Sequence, residues 1–305
     1  SDGVAKGWDY DVFNHMGELM NFVPVYVPAA WDGMIQAVAD GQFMVAGDGI
    51  TITAERDKIV DFSDGYINLA QRVLVAVGND DIKSIDDLKN GDYIVATQKG
   101  TTNYEFAVAE LGEAKVKAFD DFNFAIQAVI SGDAVAALLD ETAGLGYMGA
   151  NSEDVKLVGE DLTSELLGFA FPEGSPLVDV INQGLAAMTE SGKLNEINSA
   201  YFNPDFTLDY DGIAEDVGEA SEATGTGPCS EATISTGSNG LPDLGGCNMI
   251  IAVENAYIPF NYIDLADGKA KGWDYDVFNE LSNCLLYTSD AADEGLGVDL
   301  GGRRI

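Results

Sequence analysis

With 305 residues, 46% hydrophobic and 10% aromatic, the chain holds apolar material for about two domains or one large bilobal one. Its 52 acidic against 15 basic residues leave a net charge of −37; this repels phosphate backbones and anionic membrane surfaces, argues against a nucleic-acid partner, and favours a soluble monomer by self-repulsion. No run of about 18 apolar residues occurs, so direct membrane insertion as a helix is not expected.

Apolar residues from Asp9 to Leu19 fall near helical spacing and predict a first helix. FVPVYVPA alternates around two prolines and reads as a strand. WDGMIQAVADGQF follows as an amphipathic helix ending near Gly41, and MVAGDG as a short strand running into a glycine turn. RVLVAVG (72–78) is a strongly apolar strand, SIDDLKNG a short helix opened by Ser84, and YIVATQKG a strand that stops at Gly100. TTNYEFAVAELG predicts a helix capped by Thr101 or Thr102. DDFNFAIQAVISG is a helix, AVAALLD a buried strand, ETAGLGYMGAN a further helix, and LLGFAFPEGS a strand. Residues 175–202 supply two last helices. Strands alternating with helices throughout indicate an α/β fold with mostly parallel sheet.

Residues 3–14, GVAKGWDYDVFN, recur at 268–279 as GKAKGWDYDVFN, one change in twelve at an offset of 265. Such a spacing fits whole domains in tandem rather than a solenoid. The second copy carries NMIIAVENAYIPFNYIDLA (248–266) ahead of its match, and the first copy has no counterpart to it. A first domain over 1–206 is therefore expected to lack its native first strand. Residues 207–247, rich in Gly, Ser, Thr, Asp and Glu, read as a flexible acidic linker, and 248–283 as the start of a second domain. Cys284 to Ile305 resembles a transposase-type sequencing-library adaptor read in frame and is set aside from fold reasoning.

The single histidine, His15, lies within VFNHMGEL and is expected on a helix surface; the second copy has Glu280 there. Cys229 and Cys247 flank a Gly/Ser/Thr-rich stretch. A disulfide suits an oxidising compartment, and two free thiols in a loose linker are the alternative. No zinc-type spacing is present, and no metal or cofactor is expected.

The run DGITITAERDKIVDFSDGYI (48–67) brings a glycine turn, a hydroxyl residue, Thr-x-Glu-Arg and Asp61-Phe62-Ser63-Asp64 into one order. Trp31-Asp32-Gly33 precedes it; Gly100-Thr101-Thr102, LLDETAG (138–144) and AYIPFNY (256–262) stand further along. Together these blocks resemble the extracellular solute-binding proteins that feed polar amino acids to ABC importers. The resemblance covers 1 to about 206 and again 248–283. It implies a two-lobed periplasmic-binding-protein fold of type II, with hinge crossings near 66–78 and 164–172. Lobe one would hold about 1–70 and 170–206, and lobe two about 71–169.

Independent chemistry points the same way. A free amino acid carries a carboxylate and an ammonium on one carbon, so its site needs a bidentate cation, a convergent anion and backbone donors. Arg56 is the natural carboxylate clamp, a planar guanidinium with paired N–H groups; its alternative is a surface ion pair with Glu55 or Asp57. The Gly100-Thr101-Thr102 turn opens a helix, where free N–H groups attract an anion. Asp140 ends a strand at the carboxyl edge, where open α/β sheets bind ligands, and can face the ammonium with Asp48, the Gly49 carbonyl and the Thr51 hydroxyl nearby; its alternative is a helix cap. The resemblance implies that Trp31 stacks on the ligand side chain, that Tyr257 supplies the opposing ring, and that Glu254 reads the far end of a polar or cationic side chain.

These residues imply a binding protein that presents an amino acid to an ABC-transporter permease outside the cytoplasm, in the periplasm or lipid-anchored at the cell surface. It is not expected to be an enzyme. The alternatives are a dehydratase-type enzyme on the same fold and the ligand-binding domain of a sensor or receptor. One further expectation concerns the missing strand. The 41 residues from 207 to 247 span roughly 35 Å as flexible coil. That is enough for MIIAVE (249–254) to return and fill the vacant strand position, bringing Glu254 and Tyr257 to the cleft beside Trp31.

Overall fold

The computed structural model describes residues 5–150, 153–202 and 220–263. Residues 207–219, the repeat at 268–279 and the adaptor-like 284–305 lie outside the described residues. In chain order, β1 (Ala5–Lys6) leads into α1 (Trp8–Met20), β2 (Phe22–Pro28), α2 (Met34–Ala39), β3 (Val45–Ala46) and β4 (Val60–Phe62). The chain crosses on β5 (Ile67–Leu69) into β6 (Gln71–Ala76), α3 (Ile85–Asn90), β7 (Val95–Gln98), α4 (Thr102–Leu111), β8 (Val116–Phe119), α5 (Phe122–Ile130), β9 (Ala136–Asp140), α6 (Glu141–Ala150) and β10 (Val155–Val158). It returns on β11 (Glu165–Leu167) to β12 (Ala170–Pro172), α7 (Leu177–Ser191) and α8 (Lys193–Tyr201). The last described segment holds β13 (Ser235–Thr236), β14 (Pro242–Asp243), β15 (Cys247–Val253), β16 (Ala256–Tyr257) and β17 (Asn261–Ile263).

Two five-stranded sheets organise two lobes, in the orders β2-β15-β3-β12-β4 and β10-β6-β9-β7-β8. The antiparallel pair β5–β11 forms the two crossings between them. Both sheets are mixed, which corrects the expectation of mostly parallel strands. In the first, β15 runs parallel to β2 and β3, while β12 is antiparallel to β3 and β4. In the second, β7 is parallel to β8 and β9, while β6 is antiparallel to β9 and β10. The cause is the crossing: β6 and β12 are the strands that enter each lobe from the other, so they run against the βαβ strands they join.

β15 sits in the middle of the first sheet, in seven-residue register with β2 from Cys247↔Phe22 to Val253↔Pro28. Its near-continuous apolar run, Met249-Ile250-Ile251-Ala252-Val253, is what a strand covered on both faces requires, and all but Ile250 are buried. β2 is the sheet edge. Pro24 and Pro28 share a parity with Tyr26, whose N–H points away from β15 to the Ser221 hydroxyl at 2.8 Å. The two prolines therefore remove donors from the outward side, the arrangement that edge strands tolerate.

Helix α1 buries Trp8, Val12, Phe13, Met16 and Met20 at helical spacing, each worth about 1.5–3 kcal/mol. Trp8 stacks on Tyr66 at 4.3 Å and donates its indole N–H to Asn198 at 2.6 Å. With Gly7 at its N-cap, α1 has no side-chain cap. The N–H groups of Trp8 and Asp9 instead donate to the carbonyls of Pro259 and Phe260 at 3.2 and 3.0 Å. Gly7 has φ 137°, and a Cβ there would lie 1.8 Å from the Phe260 carbonyl oxygen, so only glycine permits this approach. His15 lies on the half-buried side of α1, 3.6 Å from Glu18, as expected of a surface helix position.

The reading of 207–247 as loose linker needs correction over its described part. Leu244 N–H and Asn239 Nδ2 bond the Met20 and Leu19 carbonyls, and Leu244 is buried. β13 and β14 form a hairpin, and Cys229 is disulfide-bonded to Cys247. Composition concealed this because the ordering comes from a crosslink and from main-chain bonds to α1, not from apolar content. Replacing both cysteines by serine should lower the unfolding free energy by about 3 kcal/mol, since the bridge closes a loop of 18 residues in the unfolded chain. Urea melts of parent and variant with the same midpoint would show the bridge contributes nothing.

Candidate functional site

Between the lobes lies a cleft lined by Trp31, Asp48, Gly49, Thr51, Arg56, Gln98, Thr101, Thr102, Asn103, Phe122, Asp140, Glu254 and Tyr257. Residues singled out from widely separated motifs thus converge. The first lobe supplies Trp31, the 48–56 loop after β3, Glu254 at the end of β15, and Tyr257 on β16. The second supplies the β7–α4 turn and Asp140 at the carboxyl end of β9.

The 48–56 loop turns at Gly49, whose φ is +56°. A Cβ there would come within 2.6 Å of the Tyr257 ring, so glycine is required both by backbone and by space. The loop then delivers Arg56, whose Nη1 donates to the Thr51 carbonyl at 2.8 Å and Nη2 to the Gly100 carbonyl at 3.5 Å. Its guanidinium lies 5.1 Å from the Trp31 ring centre, a cation–π contact. Neither Glu55 nor Asp57 pairs with it: Glu55 is taken by Lys58 at 2.6 Å, and among the described residues Arg56 makes no ion pair. Burial pulls its pKa below the ordinary value, opposed by the charges of Glu105, Glu165 and Asp140.

Thr101 is the N-cap of α4. Its hydroxyl accepts from Tyr104 N–H at 3.1 Å and donates to the Gln98 carbonyl at 2.8 Å. The Thr51 and Thr102 hydroxyls both donate to Glu165 Oε2 at 2.8 Å, and Gln71 Nε2 donates to Glu165 Oε1 at 2.5 Å. Glu165 on β11 thereby ties the loops of both lobes to the crossing. Gly100 does not itself line the cleft; its carbonyl reaches it through Arg56.

Asp140 does not cap α6. Its carboxylate accepts from Asn103 Nδ2 at 3.1 Å and from the Tyr257 hydroxyl in a short hydrogen bond. Burial raises its pKa to about 6, against the lowering effect of the Tyr257 bond. Asp48, 2% exposed, is raised to about 7, again by burial, while Asn261 and the Glu254 N–H act in the opposite direction. Glu254 accepts from Gln98 Nε2 at 2.8 Å and is raised by burial and by the neighbouring Asp48 charge. The two rings expected to oppose each other are otherwise engaged: Trp31 covers Arg56, and Tyr257 stacks on Phe260 at 4.9 Å and Phe122 at 5.6 Å.

Sequence reasoning missed Gln98, Asn103, Phe122, Glu165 and Asn261. Gln98 and Asn103 flank the recognised Gly-Thr-Thr turn and were within reach of a closer look at it. Asn261 closes AYIPFNY; it is fully buried, and its Nδ2 bridges Asp48 Oδ1 at 2.8 Å and Asp9 Oδ2 at 3.0 Å while its Oδ1 takes the Asn255 N–H at 2.6 Å. Phe122 and Glu165 carry no local signal.

The family model described as bacterial extracellular solute-binding proteins, family 3, matches residues 1–204. A protein of Neisseria gonorrhoeae named "Probable histidine-binding protein" is 30% identical over 208 residues, spanning 66% of this chain and 76% of that protein. The solved structure of the ancestral amino acid-binding protein AncCDT-1, a precursor of cyclohexadienyl dehydratase, is similar with a TM-score of 0.61 and 36% identity, covering 65% of this chain and 86% of that one. An ancestral arginine-binding protein bound to arginine gives 0.60 and 36%, over 65% and 88%.

The raised carboxyl at Asp140 has a consequence for stability. A carboxyl whose pKa is higher folded than unfolded holds its proton more tightly when folded. Its contribution is therefore greatest below about 4 and is lost as pH rises through about 6. In ligand-free buffer, Asp140→Asn should gain stability relative to the parent between pH 4 and pH 8, by about 3 kcal/mol at 1.36 kcal/mol per unit. Urea unfolding at both pH values measures it; a constant difference between the two proteins would contradict the buried, protonatable state.

Proposed function

The chain belongs to the bacterial extracellular solute-binding proteins of family 3, and on that premise we propose that the cleft binds a free amino acid with a polar or cationic side chain and delivers it to an ABC-type importer. The α-carboxylate lies on Arg56 and the N–H groups that open α4; the α-ammonium lies on Asp140. One observation carries this reading: a guanidinium with no carboxylate partner among the described residues, held by two carbonyls and the Trp31 ring, shares a cleft with a buried aspartate from the opposite lobe. A ligand joining the two stabilises the closed arrangement because it contacts both lobes.

The protein acts by binding rather than by chemistry, outside the cytoplasm, as a monomer that docks on the importer's permease. A dehydratase reading draws on the kinship with AncCDT-1 and on the raised carboxyl of Asp140, which could hold a proton. Against it, the hydrogen bonds from Asn103 and Tyr257 both lower the Asp140 pKa and so favour the carboxylate over a proton-donating acid. Dehydratase product formed from prephenate by the purified chain would favour the enzyme.

Residues 1–206 make one solute-binding domain, with lobe one near 1–70 and 170–206 and lobe two near 71–169. The second copy, from 248 to 283, lends it strand and pocket residues. The seven-residue register of β15 with β2, and the presence of Glu254 and Tyr257 in the cleft lining, support this division.

A thermal-shift screen of the twenty amino acids should give stabilisation by polar or cationic members. Arg56→Ala should weaken the best of them by about 10- to 100-fold, the worth of a charge-assisted hydrogen bond of about 1.5–3 kcal/mol. Isothermal titration checks this; equal affinity in parent and variant would remove Arg56 from the site.

A further inference from the structure

Glu165 is not among the residues that line the cleft, yet three donors drawn from both lobes converge on it. Its Oε2 accepts from the Thr51 hydroxyl of the first lobe and from the Thr102 hydroxyl of the second, each at 2.8 Å. Its Oε1 accepts from Gln71 Nε2 at 2.5 Å, and fully buried Gln71 also donates to Thr102 Oγ1 at 3.2 Å. A carboxylate suits this place because it only accepts and has lone pairs enough for several donors. β11 holds it at the crossing, where Glu165 pairs with Leu69 of β5, so it stands on the element that joins the lobes. Each threonine leads on to one part of the cleft. The Thr51 carbonyl holds Arg56 Nη1 at 2.8 Å, and Thr102 is the first residue of α4.

We propose that Glu165 is a positioning residue for binding: through Thr51 and Thr102 it sets Arg56 and the opening turn of α4 at the separation at which both grip one α-carboxylate; this rests on the amino-acid reading above. Arg56 comes from one lobe and α4 from the other, and their spacing needs a tie that belongs to neither loop. Each hydroxyl has one proton, and both are spent on Glu165, so the threonines act here as struts. Glutamine at 165 would keep the shape and break the tie. In one orientation its Nε2 meets the Gln71 donor. In the other it asks both hydroxyls to accept, although Thr102 already accepts from Gln71. The charge of Glu165 acts in the same direction: burial lowers the Arg56 pKa, and Glu105, then Glu165 and Asp140, oppose that lowering and favour the guanidinium.

Isothermal titration of the full chain with L-arginine and L-glutamine, each beside its decarboxylated analogue (agmatine and 4-aminobutanamide), tests this. Each analogue lacks only the α-carboxylate, so the affinity ratio within a pair reads the grip on that group. Glu165→Gln should lower the ratio by about tenfold or more, the worth of one charge-assisted hydrogen bond, and leave the affinity for the amine unchanged. A variant that weakens acid and amine alike would make Glu165 a general tie between the lobes and overturn the proposal, as would an unchanged ratio. Should Glu165→Gln fail to fold by circular dichroism, Glu165→Asp keeps the charge and withdraws it by one methylene. The same fall in the ratio is then expected, and an unchanged ratio overturns the positioning role. If the parent binds an amino acid and only the variants behave otherwise than expected, the amino-acid reading stands without this proposal; a parent binding none of the four compounds sinks both.

Discussion

Helix α1 depends on a segment more than 200 residues further along the chain. Its first N–H groups end on the Pro259 and Phe260 carbonyls, and its last carbonyls receive Asn239 and Leu244. Helix ends leave backbone groups that need partners, and here both sets are found in one returning segment. The same segment places β15 between β2 and β3, so without it the first sheet would hold two separated pieces. The disulfide from Cys229 to Cys247 fixes where that strand begins.

The site inherits this dependence. Glu254 stands one residue past β15, and Asn255, with φ 61°, turns the chain so that Tyr257 enters the cleft. Asparagine tolerates that left-handed backbone better than most residues. Asn261 then locks the turn to Asp9 on α1 and Asp48 on the loop after β3. One buried amide thereby sets the positions of a helix, a strand end and a cleft-lining loop. Such a network is secure only when its members are satisfied, and Asp48 Oδ2 is buried with no hydrogen-bond partner among the described residues.

Across the cleft, the crossing strands do the corresponding work. Glu165 gathers Thr51 from one lobe and Thr102 and Gln71 from the other, at the point where the lobes meet. Arg56 reaches the Gly100 carbonyl of the opposite lobe, so the one cation among the cleft-lining residues itself bridges the two lobes. Movement of one lobe against the other would alter these contacts first.

Periodicity and turn chemistry determined most of the elements. The helices from Trp8, Thr102, Phe122, Leu177 and Lys193 and the buried strands β6, β7 and β9 follow from apolar spacing and caps that are local in the chain. β8 and β10 escaped because each is a four-residue edge strand carrying a lysine, Lys117 and Lys156, where one exposed side weakens the pattern. The ordered motifs pointed to Arg56, Thr101, Asp140, Glu254 and Tyr257, since residue type and position relative to a strand end are written in the sequence. Which partners those side chains take was not. That Trp31 covers Arg56, that Tyr257 leans on Phe122 and Phe260, that Glu165 collects two hydroxyls, and that the strands entering each lobe run antiparallel are decided by contacts between elements that local pattern does not link. Hydrogen bonding and packing act over a few ångströms of space, and no local pattern records which distant segment will fill it.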